Sequence, residues 1–74
     1  MMLEPLTHRE IEVVQLLARG CSYKVVADVL GISAHTVCTH IKNLYRKLDV
    51  HSGRAAVFKA VQLRVLDETA FSSR

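Results

Sequence analysis

The stretch Val26-Ala27-Asp28-Val29-Leu30-Gly31-Ile32-Ser33-Ala34-His35-Thr36-Val37 decides the reading of this chain. Val26, Ala27 and Leu30 recur at helical spacing, and Gly31 stops that helix by taking a conformation other residues resist. Ser33 is placed to cap the next helix. A connection as short as Gly31-Ile32-Ser33 makes the two helices cross steeply. Ala27, four residues before Gly31, supplies the small side chain that close approach demands, and Val37 and Ile41 supply apolar anchors on the following helix. Small, glycine and apolar residues at this spacing form the helix-turn-helix pattern, whose second helix commonly enters the DNA major groove.

Working outward, the signals stay helical. Thr7-His8-Arg9-Glu10 has the form of a capping box, and Ile11, Val14, Leu17 and Ala18 recur behind it up to Gly20. Ser22 caps the second helix. The third, capped by Ser33, ends near Leu48, and Asp49 to Gly53 read as a break. A fourth helix is expected over residues 54–65. No alternating strand pattern is present. The expected architecture is all-α, a compact four-helix domain over residues 6–66, with an N-terminal arm over 1–5 and a polar, frayed tail over 67–74.

The third helix carries two unlike faces. At 100° per residue, Val37, Ile41, Leu44 and Leu48 share one narrow arc, with Tyr45 at its edge. His35, Thr39, Lys42 and Arg46 line up opposite within about 60° of one another, flanked by Cys38 and Asn43. A solvated helix face ordinarily mixes Glu and Asp among its cations. From His35 to Lys47 there is no acid at all, as suits a surface facing phosphates and base edges.

Composition narrows the remaining classes. The chain has 74 residues and a formal net charge of +3, enough for one small domain with a thin core. The charge is uneven. Between residues 35 and 59, Lys42, Arg46, Lys47, Arg54 and Lys59 face only Asp49, whereas the first twelve residues are net acidic. No apolar run reaches the roughly 18 residues of a membrane span, and the N-terminus lacks a secretory pattern, so a cytoplasmic setting is expected. Two cysteines fit a reduced compartment and are too few for a disulfide scaffold. Ser, His and acid residues occur without an activating arrangement, so the chain is read as non-enzymatic, with no cofactor and no metal. Cys38 near a helix start invites a redox role, and His35 with Cys38 an i, i+3 metal pair, but two ligands make no site and Cys21 lies in a distant turn.

Leu6-Thr7-His8-Arg9-Glu10, Gly20-Cys21-Ser22-Tyr23-Lys24, Ile32-Ser33-Ala34-His35-Thr36-Val37 and His40-Ile41-Lys42-Asn43-Leu44-Tyr45-Arg46-Lys47-Leu48 resemble the DNA-binding domain of the LuxR/FixJ family of bacterial transcriptional regulators. The resemblance spans about residues 6–66. It implies a four-helix fold whose second and third helices form the helix-turn-helix, with a fourth helix that pairs two copies. By the same resemblance Lys42 reaches base edges, Lys24, Thr36 and Lys47 lie near phosphates, and Thr39 faces the groove. Four positions depart from the family pattern. Cys38 stands where a lysine is usual, Tyr23 for asparagine, Val25 for glutamate and Gly53 for arginine, with Arg54 one place later.

The expected DNA-contacting set is therefore Ser22, Lys24, Ser33, His35, Thr36, Cys38, Thr39, Lys42, Asn43, Arg46 and Lys47. Ser22 and Ser33 lie at helix N-termini, whose free N–H groups attract phosphate. On the fourth helix the resemblance makes Ala56, Val57 and Ala60 the inward face, and Phe58, Val61, Gln62 and Val65, on an adjacent arc, form the expected homodimer surface. Two copies would place their reading helices about 34 Å apart on a palindromic site of double-stranded DNA. RNA polymerase or a regulatory protein is a further partner. Two other readings stay open: a protein-interaction module that has lost DNA affinity, and a sigma-factor-like promoter-recognition domain. Members of the resembled family usually carry an N-terminal receiver or ligand-binding domain, so the chain reads as a stand-alone regulator or as part of a longer one.

Overall fold

The computed structural model describes residues 5–66, in which four helices follow one another: α1 (His8–Ala18), α2 (Tyr23–Leu30), α3 (Ala34–Leu48) and α4 (Gly53–Gln62). Among the described residues there is no strand. The expected tail over 67–74, and all of the expected arm except Pro5, lie outside them.

Each helix starts on a hydroxyl cap. The Thr7 hydroxyl accepts the Glu10 N–H at 3.1 Å while the Glu10 carboxylate accepts the Thr7 N–H at 2.9 Å, completing the capping box. Ser22, Ser33 and Ser52 accept the N–H groups of Val25, Thr36 and Ala55 at 3.2, 3.0 and 3.1 Å. Each of these bonds satisfies a donor that the first helical turn would otherwise leave open.

The helices also share one way of stopping. The N–H groups of Cys21, Ile32, Val50 and Val65 each reach back five residues, to the carbonyls of Leu16, Ala27, Tyr45 and Ala60. The residue before each donor is left-handed: Gly20 at φ 88°, Gly31 at 69°, Asp49 at 58° and Arg64 at 63°. At Arg64 this produces a difference from expectation. Helix α4 ends at Gln62, short of residue 65, because the backward bond from Val65 folds its last turn over. Its start is also one residue earlier than expected, since Ser52 is the cap and Gly53 the first helical residue.

Helices α1 and α3 each pack against all three of the others. The core consists of Val13 and Val14, Val26 and Ala27, then Val37, Ile41, Leu44 and Leu48, with Ala56, Ala60 and Leu66 closing it. The apolar arc of α3 is thus buried along its whole length, each large side chain contributing about 1.5–3 kcal/mol. On α1 the buried strip is Val13 and Val14, while Ile11, Leu17 and Ala18 are only half-buried. Because α1 is flanked by α3 and α4 together, its inward face is centred between their two contact lines.

Candidate nucleic-acid interface

The outer face of α3 is open. His35, Cys38, Thr39, Lys42 and Arg46 are all exposed, opposite the buried Val37, Ile41, Leu44 and Leu48. Thr36, Asn43 and His40 sit half-buried on its flanks. The Thr39 hydroxyl donates to the His35 carbonyl at 3.2 Å, one turn back, which turns its methyl and hydroxyl along the helix surface. Toward the end of α3, Lys42, Arg46 and His51 border a shallow hollow floored by Tyr45 and Val50, with Asp49 at its rim.

At the start of α3 the Ser33 and Thr36 hydroxyls lie 2.9 Å apart and Ser33 also caps the helix. Ser22 and Lys24 are exposed at the start of α2. Each of these two helix N-termini carries a capping hydroxyl and presents partial positive charge to solvent.

Lys47 is placed differently from the rest of the expected set. Its ammonium donates to Glu10 Oε1 at 2.8 Å and to the Pro5 carbonyl at 3.3 Å, and its side chain is only 11% exposed. The charge is held between α3 and α1, away from the open stripe. Glu10, buried among apolar neighbours, is the acid that sequence reading assigned to capping alone. Burial pushes its carboxyl up, but hydrogen bonds from Lys47 and Thr7 and the lysine charge outweigh this and hold it below the ordinary value. A second contact absent from the sequence reading joins the Tyr23 and Tyr45 hydroxyls at 3.2 Å. Neither pair has a local sequence signature.

On α4 the expected pairing surface divides. Phe58 is 65% exposed and Gln62 is open, whereas Val61 and Val65 are half-buried against the domain's own core. Beside Phe58 an apolar groove runs between α1 and α4, lined by Leu17, Cys21, Val57 and the Arg54 stem. Both cysteines are free, Cys38 exposed and Cys21 half-buried. Among the described residues no group of three His, Cys, Asp or Glu side chains is placed to hold a metal, and no helix is long and apolar enough to cross a membrane.

Comparison with known proteins places this geometry. The family model described as bacterial regulatory proteins, luxR family, matches residues 4–60. The chain is 51% identical over 59 residues to the nitrate/nitrite response regulator protein NarP of Escherichia coli K12, covering 80% of this chain and 27% of that protein. It is 48% identical over 60 residues to the transcriptional activator protein CarR of Pectobacterium carotovorum subsp. carotovorum, covering 81% of this chain and 25% of CarR. Among solved structures, the response regulator ChrA of a heme-sensing two-component system matches with a TM-score of 0.84 and 39% identity, over 89% of this chain and 33% of ChrA. The transcription factor GerE matches with a TM-score of 0.79 and 40% identity, over 84% of this chain and 92% of GerE. The chain spans about a quarter of the length of NarP and CarR, but nearly the whole of the GerE structure.

Proposed function

The chain belongs to the luxR family of bacterial regulatory proteins, and on that premise we propose that it reads double-stranded DNA sequence-specifically with α3 in the major groove. The observation that carries the proposal is the exposed, acid-free stripe of His35, Cys38, Thr39, Lys42 and Arg46, backed by a fully buried opposite face. A helix so anchored presents its donors rigidly, and rigidity is what base discrimination requires. Lys42 and Thr39 face base edges in this reading. Ser22, Lys24, Ser33 and Thr36 meet phosphates, His35, Cys38, Asn43 and Arg46 border both, and Lys47 supports α3 from behind.

Two copies pair through Phe58 and Gln62, with the half-buried Val61 and Val65 at the margin, on a palindromic site. The module works in the cytoplasm as the DNA-reading part of a transcriptional regulator. RNA polymerase or a regulatory protein is its second partner.

Titration of a duplex selected from a random pool, at two salt concentrations, tests the reading. Binding should weaken with salt at a logarithmic slope of about −0.9 per neutralised phosphate. Lys42→Ala should narrow the preference for the selected duplex over a scrambled one by about tenfold or more, a single side-chain contact to a base being worth roughly 1–3 kcal/mol. Absence of binding at low salt would overturn the proposal in favour of a protein-interaction module.

A further inference from the structure

Helices α2 and α3 are joined at one end by Gly31-Ile32-Ser33 and touch again at the other end, where the Tyr23 and Tyr45 hydroxyls meet at 3.2 Å. Tyr23 is the first residue of α2, and the eight residues of that helix put it about 12 Å from the turn. Val26 and Ala27 pack the middle of α2 into the core against α3, and the hydroxyl contact adds a tie at the first residue of α2, the end farthest from the turn.

The two tyrosines play unequal parts. Tyr45 is half-buried with its ring packed against the core, so it is the fixed point. Tyr23 is 42% exposed and is the side chain held by it. Gly53, the first residue of α4, lies beside the anchor, and an added Cβ there would come 3.4 Å from the Tyr45 hydroxyl oxygen, in ordinary contact distance. Ser22 and Lys24, the exposed polar groups at the start of α2, flank Tyr23 directly in sequence.

We propose that Tyr23 and Tyr45 are a positioning pair that holds the N-terminus of α2, with Ser22 and Lys24, where it meets a DNA phosphate while α3 occupies the groove. This rests on the DNA reading above and adds to it the element that sets the pose of the second helix. Burial of Tyr45 and its bond to the Tyr23 hydroxyl push the Tyr45 hydroxyl up to about 12, which keeps it a neutral hydrogen-bonding group. Losing the bond releases the start of α2, and binding must then restore its pose at a cost in affinity.

Tyr23→Phe, Tyr45→Phe and the double variant test this, since each keeps the ring and removes a hydroxyl. In the free chain, amide exchange of Val25 and Val26 should speed up in all three, with exchange across α1 unchanged. On the selected duplex each variant should bind about two- to tenfold more weakly, the net worth of one neutral hydrogen bond. The double variant should lose no more than either single one. The salt slope should become shallower by about 0.9, the share of one phosphate. A loss confined to Tyr23→Phe, or additive losses, would overturn the proposal by making Tyr23 a direct DNA contact. Unchanged amide exchange would overturn it as well. Binding impaired by Lys42→Ala but not by the Phe variants would overturn this inference alone, whereas an unaltered chain that binds no DNA would overturn both.

Discussion

The Lys47 ammonium and the Glu10 carboxylate meet at 2.8 Å, tying α3 to α1 across 37 residues of sequence. The oxygen that takes this bond, Oε1, also accepts the Thr7 N–H at 2.9 Å, so one atom serves the cap of α1 and the support of α3. With both side chains nearly enclosed, the pair is strongly interdependent. Lys47→Met should cost about 3 kcal/mol in urea denaturation, because Glu10 keeps its charge and loses its partner. Adding Glu10→Gln to that variant should recover much of the loss, and a double variant as unstable as the sum of the singles would contradict the coupling.

The same pair gives the fold an acid limit. Since Glu10 titrates below its ordinary value of 4.5, its contribution is fully present above that pH and is lost as pH falls through the lower, folded value. The urea midpoint of the unaltered chain should therefore fall below pH 4.5 more steeply than that of the Glu10→Gln, Lys47→Met double variant. Parallel pH profiles would remove Glu10 as the source.

Backbone handedness predicts opposite signs at two helix ends. Gly31 stands at φ 69° with nothing within 4 Å of an added Cβ, so Gly31→Ala meets only the left-handed penalty, about 1–2 kcal/mol. Arg64 adopts φ 63° without being glycine. Arg64→Gly should stabilise by about 0.5 kcal/mol, the gain being reduced by the greater freedom of glycine in the unfolded chain. Thermal denaturation of both variants checks the pair of signs.

Phe58→Asp separates folding from pairing. Phe58 is mostly exposed, so the thermal midpoint should change little. Sedimentation on a palindromic duplex should change from two copies to one, with affinity for a single half-site retained. Two copies persisting on DNA would refute the α4 interface.

Much of the fold is legible in the sequence because its signals are local. Thr7 with Glu10, Ser22 with Gly31, and Ser33 act within a few residues of themselves, and the apolar arc of α3 repeats at helical spacing. The end of α4 is hidden because Arg64, an ordinary residue, takes the conformation that glycine advertises at Gly31. Lys47 reads as one more basic residue of α3 until packing brings Glu10 beside it. The tyrosine pair, 22 residues apart, likewise exists only once α2 has crossed α3. The exposed stripe was readable from charge and periodicity, whereas the groups that hold its helix in place depend on tertiary contacts.

His35, Cys38, Thr39 and Lys42, on the outer side of α3, take little part in holding the domain together. Thr39 bonds only to its own helix, and His35, Cys38 and Lys42 make no side-chain hydrogen bond or ion pair among the described residues. Substitutions there should stay within about 0.5 kcal/mol of the original stability. Under the proposed function, preference for one target over another can therefore drift, residue by residue, along a path on which every intermediate still folds. What the domain recognises is separable from what it is, and a lineage can rewrite the first while inheriting the second.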